Sequence, residues 1–483
     1  MSAQYQPTWN SLKTHHTPQW FLDAKFGIYT HWGIYAVPAR GPNATWYPFN
    51  MYREGEPQYE YHVKTYGHPS EFGYKDFIPM FTAEKFDPDE WAELFQRSGA
   101  QFAGPVAEHH DGFCMWDTQY SEWSAAKMGP QRDVVGELEK AIRKQGMRFM
   151  VALHHAANWW FFPHWRQEFD VSDPRYAGLY GELHNLGRDP GEGVEETERF
   201  FAQDKPSQAF LDQWKGKTLE VMDKYQPDMV WFDFGLVGMQ ENYRMEMLAH
   251  YYNRAIEWGK EVLVTYKWHH LPPGAGVVDL ELGRHDTLTY HEWLTDTTVD
   301  DGGGWGYLKE TEYKSTKTLV HYLIDNVSKN GYLLLNVGPK PNGEIPAEAK
   351  DLLVGIGEWL DVNGEAIYGT TAWMTYGEGP TEMPKAGPFM EDQEVQYTAR
   401  DIRFTVKDNA LYAICLGWPD ERLVIDTLKH AYEAEIKSIR LLGVDSELEW
   451  SLTPEGLSIT MPPEKPCDHA FVLKIVRGNP FEG

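Results

Sequence analysis

Over the first two-thirds of the chain, short apolar runs alternate with stretches whose apolar positions recur every three or four residues. The runs at 26–30, 101–107, 148–153, 228–233, 261–266, 287–290 and 332–337 have the length and the β-branched or aromatic content of strands. Between them, DEWAELFQRSG after Asp87-Pro88 puts Trp91, Leu94 and Phe95 on one helical face and closes near a glycine. Val134, Leu138, Ala141 and Ile142 mark a second helix ending at Gly146, and Trp214, Leu219 and Met222 a third that leads into the run at 228–233. Pro346 introduces a late helix over 347–360.

Alternation of this kind predicts parallel βαβ units, and roughly eight of them over about 250 residues or more make a (β/α)₈-type barrel, complete or imperfect. The competing α/β architecture is an open doubly wound sheet. The polar residues favour the barrel. His31 follows FGIYT, Glu108-His109-His110 follow FAGPVA, His154-His155 follow FMVAL, Asp233 ends DMVWFD and Lys267 follows VLVTY. Reactive groups at the carboxyl ends of several different strands are how a barrel builds a site, whereas an open sheet gathers them at one switch point. No GxGxxG accompanies these turns.

Near Gly369 the texture changes to short alternating runs at 395–399, 402–406, 410–416, 435–441, 457–461 and 470–475, separated by turn-prone stretches such as KDN, GWPD and TPEG. That spacing predicts a C-terminal antiparallel β-sandwich. The expected domains are therefore a catalytic barrel over 1–368 and the sandwich over 369–483.

Composition narrows the function. With 44 Lys+Arg against 72 Asp+Glu the net charge is −28, so nucleic acid and anionic membrane surfaces are excluded as expected partners. Cys114, Cys415 and Cys467 are far apart, which excludes a disulfide scaffold and a zinc knuckle and leaves free thiols. No run reaches the length of a membrane span, and MSAQYQPTWNSLK lacks the apolar core of a secretory signal. As written, the chain is expected to start in the cytosol, with a secreted or periplasmic protein the expectation if a signal has been removed. A homo-oligomer is compatible with all of this. Aromatic residues make up 14% of the chain, and many stand beside His, Asp or Asn, which suits a ligand with a CH face and many hydroxyls, such as a sugar.

Asp233 closes the most apolar run. A carboxylate held between aromatic neighbours at a barrel mouth is partly desolvated yet reachable, as a nucleophile must be; the bland alternative is a cap for the next helix. Glycoside hydrolysis needs a second carboxylic acid, for which Glu281 in VVDLELG is the choice and Glu292 in YHEWLTD the reserve. The pairs His109-His110 and His154-His155 invite a metal. Adjacent strand residues point to opposite faces, however, so each pair is expected to supply one inward imidazole, and no metal or other cofactor is expected. His31, His109 or His110, and His154 or His155 are instead candidates for binding sugar hydroxyls, with Trp46-Tyr47, Trp116, Trp159-Trp160 and Trp305 as ring platforms.

Five stretches, WFLDAKFGIYTHWG, FTAEKFDPDEWAELFQRSGAQFAGPVAEHHDGFCMW, KYQPDMVWFD, SKNGYLLLNVGPKPNGEIP and GEWLDVNGEAIYGT, run collinearly from Trp20 to Thr370. Together they resemble the family 29 glycoside hydrolases, the retaining α-L-fucosidases. The resemblance implies an often imperfect barrel followed by a β-sandwich, with Asp233 as nucleophile and His31, His109 and His110 on the fucose hydroxyls. VDLELG followed by WLTDT is similar to the branch that carries an ERG motif before WQTDT, which implies Glu281 as acid/base, although Leu282 and Leu294 depart from that pattern. Before the Trp-Tyr of NATWYPFNMY the family usually has a sugar-contacting Glu where this chain has Thr45, so an altered glycone preference is one expectation.

The reading is an exo-acting retaining α-L-fucosidase that takes terminal α-L-fucosyl residues from oligosaccharides or glycoconjugates by double displacement. Its substrate-binding set is His31, Trp46, His109, His110, His154 and Trp305. The alternatives are a non-hydrolytic carbohydrate-binding protein on the same fold and a fucosidase-like enzyme of different glycone choice.

Overall fold

Along each of eight short strands, side chains alternate between the inside and the outside of one closed parallel barrel. The computed structural model describes residues 4–190, 202–383, 385–391 and 395–478. Its barrel strands are β1 (Phe26–Thr30), β2 (Phe102–Glu108), β3 (Arg148–Leu153), β4 (Met229–Phe232), β5 (Leu263–Lys267), β6 (Val277–Asp279), β7 (Trp293–Thr298) and β8 (Gly331–Val337). They are bonded in chain order, and β8 returns to β1 in parallel register.

The alternation assigns the layers. Tyr29, Phe102, Val106, Met150, Ala152, Trp231, Leu263, Leu294 and Leu334 fill the interior. Their neighbours Ile28, Ala103, Val151, Val230, Val264 and Leu335 face the surrounding helices. Dry contact on both faces accounts for the nearly continuous apolar reading of the central strands.

Six of the seven expected barrel runs are strands, with ends shifted by up to two residues. The run at 287–290 is not a strand: it lies in the loop between β6 and β7, and Tyr290 is fully exposed. The two strands around it escape the pattern for physical reasons. β6 is three residues long, too short for a period, and β7 reads WLTDTT because its mouth end turns Asp296 and Thr298 into a polar site.

Beyond the helix Ala347–Asn363 come β9 (Thr371–Glu378), β10 (Ile402–Lys407), β11 (Ala410–Cys415), β12 (Arg422–Ile425), β13 (Ile436–Leu441), β14 (Trp450–Thr453), β15 (Gly456–Thr460) and β16 (Phe471–Arg477). A five-stranded antiparallel sheet, β13-β16-β11-β10-β9, shares one apolar core with a three-stranded sheet, β12-β15-β14, which makes the expected sandwich. The run at 395–399 is irregular rather than a strand, while β9, β12 and β14, short or half exposed, are strands that the pattern does not mark.

The outer face of the larger sheet is not solvated. Tyr412, Ile414 and Val472 join the barrel's helical core, Trp359 Nε1 donates to the Ala470 carbonyl, and Arg403 Nε donates to Asp325 at 2.6 Å. All three cysteines are free thiols. Among the described residues no helix is long and apolar enough to cross a membrane.

Candidate active site

The inward parity that fills the barrel also delivers its chemistry. Inward positions run 27, 29, 31 on β1; 150, 152, 154 on β3; 229, 231, 233 on β4; 263, 265, 267 on β5; and 332, 334, 336 on β8. His31, His154, Asp233, Lys267 and Asn336 therefore converge at the carboxyl ends of the strands.

At β2 the parity breaks. The pairing with β3 shifts between Val106 and Glu108, so a bulge turns Glu108 outward, where Lys217 Nζ meets its Oε1 at 2.6 Å. His109 and His110 then lie past the strand end and both enter the site. His109 stacks on His154 with centroids 4.5 Å apart, and His110 Nε2 is 3.3 Å from Asp233 Oδ2. This corrects the expectation of one inward imidazole per pair, which assumed an unbroken pleat. For the second pair the expectation holds: His154 faces the site, whereas His155 Nε2 turns to the Trp214 carbonyl.

Hydrogen bonds fix the imidazoles. Asn336 donates through Nδ2 to Thr298 Oγ1, so its Oδ1 accepts from the backbone N–H of His31 and, at 2.9 Å, from His31 Nδ1. His31 Nε2 faces His154 Nε2 at 3.3 Å. Burial lowers His31 to about 4 and His109 and His154 well below the ordinary value of 6.5, so all three rings are neutral at physiological pH. Nδ1 of His109 and of His154 are buried without a hydrogen-bond partner. His31, His109 and His154 also hold ligand atoms within 4.8 Å of one another, the one metal-compatible cluster found among the described residues.

Asp233 follows β4 and is 8% exposed, and the chain leaves it through Gly235 at φ 94°. A side chain at Gly235 would press on the backbone at Ala156-Ala157, so glycine lets this loop close against the one that follows β3. Burial pushes the Asp233 carboxyl up. The hydrogen bond and charge of His110, then Lys267 and the Phe234 N–H, outweigh it and hold the group below 3.8.

Glu281 lies two residues past β6. Burial raises it, Lys267 pulls it back, and Asp296 and Asp233 raise it again, to about 7. Lys267 Nζ is buried among Asp296 Oδ1 at 2.8 Å, Asp279 Oδ2 at 3.2 Å and Glu281 Oε2 at 3.4 Å. Tyr29 O–H donates to Asp296 and Trp231 Nε1 to Asp279. Lys267 is one of the strand-end groups marked in the sequence; its two aspartates, Asp279 and Asp296, are parts of the site that sequence reasoning missed. Glu292, the reserve acid, immediately precedes β7 at the opposite end of the barrel, where its charge acts on Lys25.

Of the aromatic candidates, two reach the site. Trp305 lies 5.1 Å from the His31 ring, and Trp46 stands edge-on to His110 and parallel to Phe234. Tyr47 is buried and its hydroxyl meets His62 Nδ1. Trp116 donates to Glu220, Trp159 stacks on His184, and Trp160 packs against Gly238; all three are core residues rather than platforms. Thr45 is fully buried, and its hydroxyl donates to Asn43 Oδ1 at 2.8 Å.

The family model described as Alpha-L-fucosidase matches residues 1–365, and the one described as Alpha-L-fucosidase C-terminal domain matches residues 393–476. The chain is 31% identical to the tissue alpha-L-fucosidase of Bos taurus over 98% of this chain and 91% of that protein. It is also 31% identical to the plasma alpha-L-fucosidase of Homo sapiens, over 98% and 93%. The crystal structure of Thermotoga maritima alpha-fucosidase in complex with fucose superposes with a TM-score of 0.77 at 32% identity, covering 98% of this chain and all of that one.

Proposed function

The chain belongs to the alpha-L-fucosidase family of glycoside hydrolases, and from that premise we propose that it removes terminal α-L-fucosyl residues by double displacement, with Asp233 as nucleophile and Glu281 as acid/base. Asp233 attacks the anomeric carbon while Glu281 gives its proton to the departing oxygen. Water, deprotonated by Glu281, then releases fucose from the ester, so two inversions leave the configuration retained. The observation that carries this reading is a pair of carboxyls pushed in opposite directions: Asp233 is held ionised by His110, while Glu281 is raised to about 7, where it can both give and take a proton. In a retaining pair the two groups stand about 5–5.5 Å apart.

We assign the rings of His31, His109, His110 and His154 to the sugar hydroxyls, with Trp46 and Trp305 against its apolar faces. His31 Nδ1 is taken by Asn336 Oδ1, which leaves Nε2, 3.3 Å from His154 Nε2, as the nitrogen assigned to a sugar hydroxyl. A metal-dependent reading of the same imidazole trio predicts that a chelator abolishes turnover; ours predicts that it does not. The net charge of −28 supports a neutral glycan over nucleic acid as partner. We place the division between the domains at residues 368–369, where Gly369 takes a positive φ of 65° just before β9.

The deciding experiment traps the ester with a 2-fluoro fucosyl fluoride and maps it by peptide mass spectrometry. The expected label is on Asp233. A label on another residue, or turnover of aryl α-L-fucoside by Asp233→Gly at the wild-type rate, overturns the assignment.

A further inference from the structure

The loop that carries Glu281 is gripped from both sides. On one side β7 holds it: Leu280 N–H donates to the Leu294 carbonyl and Leu282 N–H to that of Asp296, at 2.8 and 2.9 Å. On the other side lies no barrel element but residues 387–391, which come from beyond β9, in the sandwich part of the sequence. Phe389 N–H donates to the Glu281 carbonyl at 2.8 Å, and Glu391 N–H to that of Leu282 at 2.9 Å. Arg284 and Gly387 exchange both backbone bonds, and Arg284 Nη2 donates to the Glu391 carbonyl.

This strap is itself anchored at the barrel mouth. The Glu391 carboxylate accepts from Thr297 Oγ1 of β7 and from Lys314 Nζ at 2.6 Å, and the Lys314 ammonium also donates to the Thr298 carbonyl. Glu391 and Lys314 are nearly buried, so solvent screens the pair little. The grip also holds strained backbone: Leu282 and Phe389, neither a glycine, sit at φ 43° and 56°. Such conformations persist only where the surroundings over-determine them, and they gather where geometry must be exact.

We propose that the strap at 387–391, locked by Glu391 onto Thr297 and Lys314, positions Glu281 for proton delivery, so that the C-terminal part of the chain completes the active site. Glu391 is a positioning residue. It touches no substrate; it fixes the backbone from which the acid reaches the leaving oxygen. The inference rests on Glu281 being the acid/base. Its chemical signature follows from what an acid does. A sugar alkoxide cannot leave without a proton, whereas 4-nitrophenolate can, so a displaced acid slows the first and spares the second.

The test compares kcat/KM for a fucosyl disaccharide and for 4-nitrophenyl α-L-fucoside in the full-length wild type, Glu391→Ala, Thr297→Val and Glu281→Gln. For Glu391→Ala we expect a loss of about 100-fold on the disaccharide and less than about 3-fold on the aryl fucoside, within the range that general acids contribute. Thr297→Val, isosteric and retaining the ion pair, shows the same split in smaller measure and decides the matter if Glu391→Ala does not fold. Equal losses on both substrates, tracking the folded fraction, or wild-type ratios in the folded variants overturn the strap's role. Glu281→Gln separates the two ideas. If it splits the substrates and the strap variants do not, only the strap inference falls; if it does not split them, Glu281 is not the acid.

Discussion

Lys267 Nζ lies 3.4 Å from Glu281 Oε2 at the ends of neighbouring strands, yet its charge is shared with Asp296 and Asp279. One cation divided among three carboxyls restrains Glu281 without cancelling its burial, and the acid settles at about 7. With the roles proposed above, glycosylation needs Asp233 ionised and Glu281 protonated. The profile of kcat/KM against pH is therefore expected to fall on the alkaline side near pH 7 and on the acid side only below the usual carboxylate range. The alkaline limb belongs to a fucosyl disaccharide, whose leaving group needs that proton; on this substrate Glu281→Gln loses the limb along with most of its activity, and a limb that survives belongs to another group.

Replacing Lys267 removes the attraction that lowers Glu281, so Lys267→Met moves the alkaline limb above that of the wild type. It also strands Asp279 and Asp296 in a dry site, at a cost of about 3–5 kcal/mol in denaturant unfolding. A limb left at the wild-type position would show that Lys267 does not act on the acid.

Azide distinguishes the two carboxyls. In Asp233→Gly a small anion can take the vacated place and attack from the nucleophile's side, giving β-fucosyl azide, whereas in Glu281→Ala it attacks the intact ester and gives the α product. Product NMR reads the difference. The same anomer from both variants contradicts the assigned roles.

Thr45 spends its hydroxyl on Asn43 inside the protein. Thr45→Val is accordingly expected to cost about 1 kcal/mol of stability and to leave KM for an aryl fucoside unchanged. A shift in KM beyond about 3-fold would put the hydroxyl on the sugar and return Thr45 to the question of glycone choice.

Acid should unfold the protein through its buried histidines. His31 and His270 are lowered to about 4 and His164 to about 3, each by burial first. A depressed pKa means the unfolded chain binds the proton more tightly. The stability these neutral rings contribute is present above about 6.5 and is lost as pH falls toward 4. Thermal unfolding between pH 7 and pH 4 measures it, and a flat midpoint across that interval would contradict these buried neutral states.

How much of this is legible in the chain depends on how local each cause is. FGIYTH, FMVALH and MVWFD each write an apolar strand with a polar residue at the inward position just past its end. The barrel, its polar mouth and the place of Asp233 follow from such local patterns: apolar runs that alternate with helices and end in a polar residue. The sandwich is legible for the same reason, apart from its short and half-exposed strands. β6 and β7 were hidden because a three-residue strand has no period and because WLTDTT is polar where it enters the site.

What the chain by itself determined is therefore the layered architecture, the place of Asp233 at the barrel mouth and the excess of negative charge, all set by neighbours a few residues apart. Tertiary structure alone decided which carboxyl keeps its proton. Glu281 and Glu292 are both acids near β7, and only the closure of the barrel puts one beside Asp233 and Lys267 and the other at the far end. The bulge that brings both His109 and His110 inward, and the strap that reaches Glu281 from more than a hundred residues away, are likewise matters of distance in space. A sequence encodes such contacts but does not display them, because burial and Coulomb energies depend on separation through the fold rather than along the chain.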